Sequence, residues 1–201
     1  WDEVLVPAVA WSTSLFPVAQ CGLVPVLVDV DPKTLCLDVA LAADAMGPRT
    51  RAAIGVHLLG QPADVAGLQE LDLVVLEDAC AAHGAQIGEK RCGGLGDVGT
   101  FSFFFSHHIT TIEGGMIVTD DHGIAEAARA LRAHGWIREQ DGREAVSAKH
   151  PEIDPRFLFV APGWNLRPTE VAGAFGLRQL QRLDAWLTRR RDNHNSWCAA
   201  L

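Results

Sequence analysis

A polar loop between two apolar segments carries the side chains of this sequence that are best suited to chemistry. Residues 100–105 (Thr-Phe-Ser-Phe-Phe-Phe) predict a strand, and the short apolar run 116–118 predicts a second one. Hydroxyl, imidazole and carboxylate groups lie within or between these segments: Ser102, Ser106, His107, His108, Thr110, Thr111 and Glu113. Polar groups beside buried strands are costly unless they contact a ligand or one another, so the loop is a candidate site. The alternative is a surface turn with two incidental histidines.

Asp78 is a second candidate, because it directly follows Glu77 and the apolar residues 73–76. Small residues come next, and then His83. A carboxylate at the mouth of a buried strand needs a cationic or N–H partner. Asp78 could therefore bind a positively charged group of a ligand, or it could be the N-cap of a following helix.

Alternating strand and helix patterns would position these residues. Apolar strands are predicted at 4–10, 24–30, 52–57 and 73–77, with helices at 15–21, 38–45 and 63–70, the first of them capped by a serine or threonine. This alternation is typical of an α/β protein with a mostly parallel sheet that helices cover on both faces, an αβα sandwich. Ligands of such sheets bind beyond the carboxyl ends of the strands. That rule selects residues 11–14, His57, Asp78 with His83, and the polar loop.

The rest of the chain predicts two more helices and one irregular stretch. Residues 121–134 and 169–191 have helical apolar spacing, and the second range predicts one long helix. Residues 138–157 are polar and aperiodic, which indicates either a binding loop or disorder.

Composition excludes several classes of protein. The chain has 201 residues, 48% of them hydrophobic, which is enough for one globular domain or most of one. A net charge of −8 argues against nucleic acid as a partner, and no apolar run is long enough to span a membrane. Five cysteines without metal-ligand spacing indicate free, buried thiols in a reducing compartment, so we expect a cytoplasmic protein. Because neither end has a polar tail, we expect a piece of a longer chain.

Short motifs in a fixed order resemble the sugar-aminotransferase (DegT/DnrJ/EryC1/StrS) family of fold-type-I enzymes that depend on pyridoxal 5'-phosphate (PLP). The motifs are Val28-Asp29-Val30-Asp31, Gly60-Gln61-Pro62-Ala63-Asp64, Glu77-Asp78 with His83-Gly84-Ala85, Gly96-Asp97-Val98-Gly99 with Phe101-Ser102-Phe103, Glu113-Gly114-Gly115, His134-Gly135, and Asn165 with Arg167. The likeness implies a cofactor-binding large domain over 1–168, without its N-terminal part, and a long helix over 169–201 that leads into a truncated small domain.

One departure from the family's pattern indicates which branch of the family the chain resembles. The family has a lysine five residues after the serine of the Phe-Ser motif, and that lysine forms a Schiff base with PLP. Here the position is His107, and the three lysines of the chain, Lys33, Lys90 and Lys149, lie elsewhere. Imidazole cannot form a stable Schiff base with the cofactor aldehyde, but it can transfer protons near pH 7.

This replacement resembles the nucleotide-sugar 3-dehydratases that use pyridoxamine 5'-phosphate (PMP). The likeness is closest to the GDP-4-keto-6-deoxymannose 3-dehydratase type, through His134-Gly135-Trp136 and the run Pro162-Gly163-Trp164-Asn165-Leu166-Arg167-Pro168. The related branch with an iron–sulfur cluster is disfavoured, because residues 137–197 contain no cysteine.

The resemblance implies a role for each matched residue. His107 would be the catalytic base, and the others would hold the cofactor: Asp78 at the pyridinium nitrogen, Ser102 at the phosphate, Trp11 on the ring, and Asn165 at the phosphate in the other subunit of a homodimer with a shared site. His108 and Arg167 are weaker candidates for substrate binding. The implied partners are a nucleotide sugar and glutamate, which would regenerate PMP. From the residues alone, Trp11 could instead be core, His108 an unused neighbour, and Arg167 an ordinary ion pair.

Two departures leave alternatives open. The family's polar residue three positions after the strand-end aspartate is Ala81 here, and the phosphate-binding segment that the family has upstream of Val4 is absent. The alternatives are a nucleotide-sugar aminotransferase that uses a displaced lysine, and an inactive homologue that acts as a binding subunit.

Overall fold

A six-stranded sheet forms the centre of the first of two units in the computed structural model, which describes residues 1–201. This unit comprises Trp1–Val118 and Val171–Leu201, and the second comprises Thr119–Glu170. The strands are β1 (Glu3–Pro7), β2 (Val24–Val28), β3 (Thr50–Val56), β4 (Val74–Asp78), β5 (Gln86–Ile87), β6 (Lys90–Arg91), β7 (Val98–Ser102) and β8 (Gly115–Val118). The sheet order is β2-β1-β3-β4-β7-β8, and every neighbouring pair is parallel except β7 and β8. Strands β5 and β6 form a separate antiparallel pair.

Two hydrophobic clusters hold helices against opposite faces of the sheet, because successive side chains of a strand point to opposite faces. On one face, Val4 and Val6 pack with Val18 of α1 (Ser12–Gln20). On the other face, Leu5 and Ala53 pack with residues of α2 (Val39–Ala45) and α3 (Val65–Gln69). The predicted fold class, a mostly parallel sheet with helices on both faces, is confirmed.

Among the first three helices of the chain, two have a side-chain N-cap and one does not. Asp38 and Asp64 are the N-caps of α2 and α3, and each accepts hydrogen bonds from backbone N–H groups of the first turn. The prediction that a serine or threonine caps α1 is wrong, since Trp11 is its N-cap and makes no side-chain capping bond. Ser14 is instead buried and bonds a distant residue.

The second unit contains α4 (His122–Leu131) and the short α5 (Arg143–Ser147), so the polar stretch 138–157 includes one turn of helix. After α4, two segments of chain run in close contact. Gly135 has a φ of +82°, and a Cβ added there would lie 1.7 Å from the carbonyl oxygen of Ala161. Only glycine fits this position, which explains why it follows His134 in the motif.

The long helix predicted over 169–191 is wrong, because the chain forms α6 (Glu170–Leu180) and α7 (Leu183–Ala200). The N–H of Arg182 donates to the carbonyl oxygen of Gln179 at 3.0 Å, a tighter turn that ends α6. None of the helices is both long enough and apolar enough to cross a membrane. The five cysteines are all free, but the prediction that they are buried holds for Cys36 and Cys92 alone.

Candidate active site

The carboxyl ends of the parallel strands place several predicted site residues along one edge of the sheet. Asp78 is the last residue of β4, and Ser102 is the last residue of the neighbouring β7. Trp11 and Ser14 come after β1, and His57 comes directly after β3. Because β1, β3, β4 and β7 are consecutive in the sheet, these residues share one edge.

Asp78 is anchored by a hydrogen bond to each of its carboxylate oxygens. Ser14 Oγ donates to Oδ2 at 2.6 Å, and the N–H of Cys80 donates to Oδ1 at 3.1 Å. No helix follows β4, so the alternative that Asp78 is a helix N-cap is wrong. Each oxygen keeps a lone pair, so the carboxylate can also accept a hydrogen bond from a cationic N–H group. Burial, with a smaller effect of the Asp78 charge, raises the pKa of the Cys80 thiol to about 12, so this thiol stays neutral at pH 7.

Trp11 and Ser102 offer an aromatic face and a hydroxyl group at this edge. The side chain of Trp11 is 76% exposed, so the alternative that it belongs to the core is wrong. Ser102 Oγ accepts a hydrogen bond from the N–H of Phe104 at 3.2 Å and keeps its own proton for donation. Together with the anchored carboxylate of Asp78, these groups suit the ring, phosphate and pyridinium nitrogen of PLP or PMP. The residues present therefore fit the cofactor that the resemblance implies.

The loop that carries His107 is closed at its base by backbone hydrogen bonds. The N–H of Phe103 donates to the carbonyl oxygen of Gly114, and the N–H of Thr111 donates to that of Phe103, both at 2.9 Å. The strand predicted over 100–105 therefore ends at Ser102, where the chain leaves the sheet. His107 is half-buried in this ordered loop. The N–H of His107 donates to the carbonyl oxygen of Phe104 at 3.1 Å, which closes a backbone turn.

Two further imidazoles lie beside His107. The ring centroid of His83 is 6.3 Å from that of His107 and 5.5 Å from that of His108. Burial lowers the pKa of both His83 and His108 to about 4, and smaller electrostatic effects of neighbouring histidines and, for His108, of Arg190 act in the same direction. Both rings are therefore neutral at pH 7. The sequence grouped His83 with Asp78, whereas the structure packs it against the loop histidines.

His57 and Glu77 form a buried, hydrogen-bonded pair, and the sequence did not reveal this structural role. His57 Nδ1 accepts a hydrogen bond from the N–H of Ala63 at 3.0 Å, so its proton is on Nε2 and is donated to Glu77 Oε2 at 2.7 Å. The Glu77 carboxylate also accepts three backbone N–H groups, those of residues 93, 95 and 96. Burial alone would raise its pKa, but these bonds outweigh burial and hold the pKa below its ordinary value. His57 therefore supports the fold and is not available to a ligand.

Asn165 and Arg167 belong to the second unit and are exposed. Arg167 Nη2 donates to Asn165 Oδ1 at 3.3 Å, and Asn165 also forms an isolated β-bridge with Ala133. The guanidinium of Arg167 therefore bonds to an amide, whereas the sequence had left open an ordinary ion pair with a carboxylate. Both side chains remain accessible to a ligand.

The second unit also contains a cavity of about 750 Å³ that the sequence did not predict. It is lined by aromatic and guanidinium side chains, among them Trp136, Phe157, Arg138, Arg143 and Arg156. Elsewhere in this unit, His122, Glu126 and Asp141 bring possible metal-ligand atoms within 4.8 Å of one another. Arg129 already supplies a positive charge to this cluster, since its Nη1 lies 2.5 Å from Glu126 Oε1.

Comparison with known proteins agrees with this arrangement. The model of the DegT/DnrJ/EryC1/StrS aminotransferase family matches residues 1–201. GDP-4-keto-6-deoxy-D-mannose 3-dehydratase of Yersinia pseudotuberculosis is 43% identical over 199 residues, which are 96% of this chain and 50% of that protein. GDP-perosamine synthase of Caulobacter vibrioides is 42% identical over 195 residues, which are 94% of this chain and 48% of that protein. The chain thus spans about half the length of these relatives.

The fold is likewise that of a solved relative. A crystal structure of GDP-4-keto-6-deoxymannose-3-dehydratase with a trapped PLP-glutamate geminal diamine superposes with a TM-score of 0.84 at 41% identity. The match covers 91% of this chain and 49% of that one. With the family motifs in order along the chain and the sheet edge built as described, the chain belongs to the DegT/DnrJ/EryC1/StrS aminotransferase family.

Proposed function

We propose that the full-length protein is a PMP-dependent dehydratase that removes the C3 hydroxyl group of a nucleotide-linked 4-keto-6-deoxyhexose in deoxysugar biosynthesis. The observation that carries this proposal is His107, which occupies the position of the family's lysine in an ordered loop. Overall identity does not decide between reactions, since the dehydratase and the perosamine synthase are 43% and 42% identical to the chain. A histidine can transfer protons but cannot form the lysine's Schiff base, which favours dehydration over amino transfer.

The side chains of this chain would bind the cofactor and move the proton. PMP, when bound, supplies an amine that condenses with the sugar ketone and a ring that withdraws electrons. Trp11 would cover the ring face, Asp78 would accept the N–H of the ring nitrogen, and Ser102 would donate to the phosphate. The imidazole of His107 would take a proton from the carbon between ring and amine, and it would then give a proton to the departing C3 hydroxyl. Because Ala81 has no polar group, ring orientation depends on the other contacts.

Glutamate is the amino donor that we propose for the return of PLP to PMP. A solved relative, at 41% identity, holds an adduct of PLP and glutamate, which supports both the cofactor and the donor. The accessible guanidinium of Arg167 and the imidazole of His108 remain the candidates for contact with a substrate or with this donor.

We propose that the cavity of the second unit binds a nucleoside diphosphate group. A volume of about 750 Å³ is in the range of small-molecule sites. Arg143 and Arg156 there have carboxylate partners, whereas Arg138 lies over the Trp136 ring at 5.1 Å. Guanidinium groups bind diphosphates, and aromatic rings stack with bases. The lining therefore suits a nucleoside diphosphate.

Replacement of Arg138 by alanine should raise the KM for the nucleotide sugar with little change in kcat. A charge-assisted hydrogen bond to a phosphate is lost equally from the ground and transition states, which corresponds to about a ten- to hundredfold rise in KM. Steady-state kinetics of the full-length protein measure this effect. Arg51→Ala is the matched control, because Arg51 is an exposed arginine of the first unit and does not line the cavity. An unchanged KM in the Arg138 variant would contradict the assignment of the cavity.

The proposed function is tested by incubation of the full-length protein with PMP, glutamate and candidate nucleotide 4-keto-6-deoxysugars. Mass spectrometry should show loss of the C3 hydroxyl, with 2-oxoglutarate formed as glutamate is consumed. An amino sugar as the product would identify an aminotransferase instead. If no sugar is consumed under any condition, the protein is an inactive homologue that serves as a binding subunit.

We also propose a cytoplasmic homodimer with a shared site, built from a large domain over 1–168 and a helical segment over 169–201, which contains α6 and α7 and leads into a small domain. Support comes from the exposed Asn165, and from large apolar side chains of β8 and α6 that the chain leaves exposed, such as Ile117 and Phe175. Co-expression of a His107→Asn chain with an Asn165→Ala chain should regain activity that each variant lacks, since one site of a mixed dimer is intact. If the mixture stays inactive, the site is not shared.

A further inference from the structure

His83 is a buried imidazole whose hydrogen-bonding groups have no partner within the chain. The residue is 6% exposed, and neither Nδ1 nor Nε2 makes a hydrogen bond. A neutral imidazole has one donor and one acceptor, and it costs free energy to leave both unpaired in the interior. An aliphatic or phenyl side chain would fill the same volume without this cost. The neighbours of His83 indicate what the imidazole contributes.

The ring of His83 is enclosed by aromatic side chains at the end of β7 and by histidines of the loop. Its centroid lies 5.3 Å from that of Phe101, 5.8 Å from Phe103 and 5.5 Å from His108. His108 has a complementary defect, because its Nδ1 is also buried without a partner. At a centroid separation of 5.5 Å, two imidazoles that turn a nitrogen toward each other come within hydrogen-bond distance. One such bond would pair His108 Nδ1 with one of the two nitrogens of His83.

Apart from the bond between the His107 N–H and the Phe104 carbonyl oxygen, and the Phe104 ring 6.2 Å from the His107 ring, the part of the loop around His107 has few contacts. The backbone bonds that close the loop involve Phe103, Thr111 and Gly114, which lie at its base. Of the side chains between them, Ile109 is the one that is buried, at 7% exposure. The orientation of His107 therefore depends on how firmly the neighbouring His108 is held.

Charges around the pair favour a bond between two neutral rings. His83 faces His107 and His108 of the loop, and Arg190 of α7 acts on His108. Burial, with smaller electrostatic effects of these neighbouring groups, lowers the pKa of both rings to about 4, so neither is charged at pH 7. Helix α7 packs closely against Gly84, the residue after His83, since a Cβ on Gly84 would lie 2.3 Å from Leu187 Cδ1.

We propose that His83 is a positioning residue for His107: it shares a hydrogen bond with His108 and so fixes the loop that presents the catalytic imidazole. The consequence for turnover rests on the proposed function, whereas the consequence for loop order does not. Hydrogen exchange of the full-length protein without substrate therefore tests the proposal independently of activity.

Backbone exchange in residues 103–114 should become about tenfold faster in His83→Phe and in His108→Phe, and no faster in the double variant, because both changes remove the same bond. His83→Gln, which keeps a donor and an acceptor, should exchange close to the parent rate. His122→Phe, an exposed change on α4, is the control and should have no effect. Additive acceleration in the double variant, or parent-like exchange in both single variants, would overturn the proposal.

Kinetics separate positioning from a general loss of structure. His83→Phe should lower kcat about tenfold with KM nearly unchanged, and His83→Gln should restore kcat, while exchange in β1 and β3 stays at the parent rate. A rise in KM alone, or faster exchange throughout the sheet, would show that His83 only supports packing. If the parent protein does not dehydrate any sugar but loop exchange is coupled as described, the proposed function fails and the positioning role stands.

Discussion

A His107→Asn variant of the full-length protein should dehydrate its nucleotide sugar about a thousandfold more slowly than the parent, because general acid–base catalysis by one side chain is worth about a hundred- to ten-thousandfold. Asparagine approximates the shape of the ring but cannot take a proton. The cofactor contacts of Asp78 and Ser102 are untouched, so binding of PMP should be retained. Single-turnover assays with mass spectrometry measure the rate, and spectroscopic titration with PMP measures binding.

His107→Lys gives the reciprocal test. A lysine at this position can form a Schiff base with PLP, so the variant should gain a covalent PLP adduct that borohydride reduction fixes and mass spectrometry detects. It should lose dehydration at the same time. His122→Asn, at an exposed position of α4, is the control and should behave as the parent. If His107→Asn turns over at the parent rate, another residue is the base and the role assigned to His107 is wrong.

Glu77→Gln should lower the free energy of unfolding by about 2–6 kcal/mol, because two buried N–H donors would lose their acceptor at about 1–3 kcal/mol each. Each oxygen of Glu77 accepts two hydrogen bonds: Oε1 from the N–H groups of Leu95 and Gly96, and Oε2 from Gly93 and His57. The glutamine amide would place an NH₂ group against two donors at one of these positions. Chemical denaturation of the full-length protein measures the change, and exposed Glu70→Gln should stay within about 0.5 kcal/mol of the parent.

The same carboxylate should make stability depend on pH. Since the hydrogen bonds lower the pKa of Glu77 in the folded state, the unfolded chain takes up a proton first as pH falls. The stabilisation is complete above the ordinary pKa of 4.5 and is lost as pH falls below it through the lowered value. Denaturation at a series of pH values should show this loss in the parent and not in Glu77→Gln. A cost below about 1 kcal/mol at pH 7 would mean that Glu77 is not a buried charge in solution.

The sheet and the edge that carries the site were predictable because they depend on local patterns. Apolar runs that alternate with helical spacing specify β1 to β4, and the carboxyl ends of β1 and β4 located Trp11 and Asp78. The break between α6 and α7 was not predictable. Apolar residues continue at helical spacing across it, and neither Gln181 nor Arg182 is a residue that ends helices.

Partners that are distant in sequence were also beyond prediction. The donors to Glu77 come from the turn at residues 93–96, and the hydroxyl on Asp78 comes from Ser14, 64 positions earlier. Ser14 looked like a helix cap because serine is common there, but the half-buried carboxylate of Asp78 is a stronger acceptor partner. The packing of His83 against the loop likewise depends on tertiary contacts, for which the sequence has no periodic signal.

The last two residues of β4, Glu77 and Asp78, both have carboxylate side chains. Because successive side chains of a strand point to opposite faces, the two carboxylates have different roles. Glu77 faces the interior and both of its oxygens are fully hydrogen-bonded, whereas Asp78 keeps accepting capacity at the sheet edge. An insertion or deletion of one residue before this pair would exchange their faces. It would bury the carboxylate that serves the ligand and expose the one that holds the fold. We therefore expect substitutions to be far better tolerated in residues 73–76 than any change in their number.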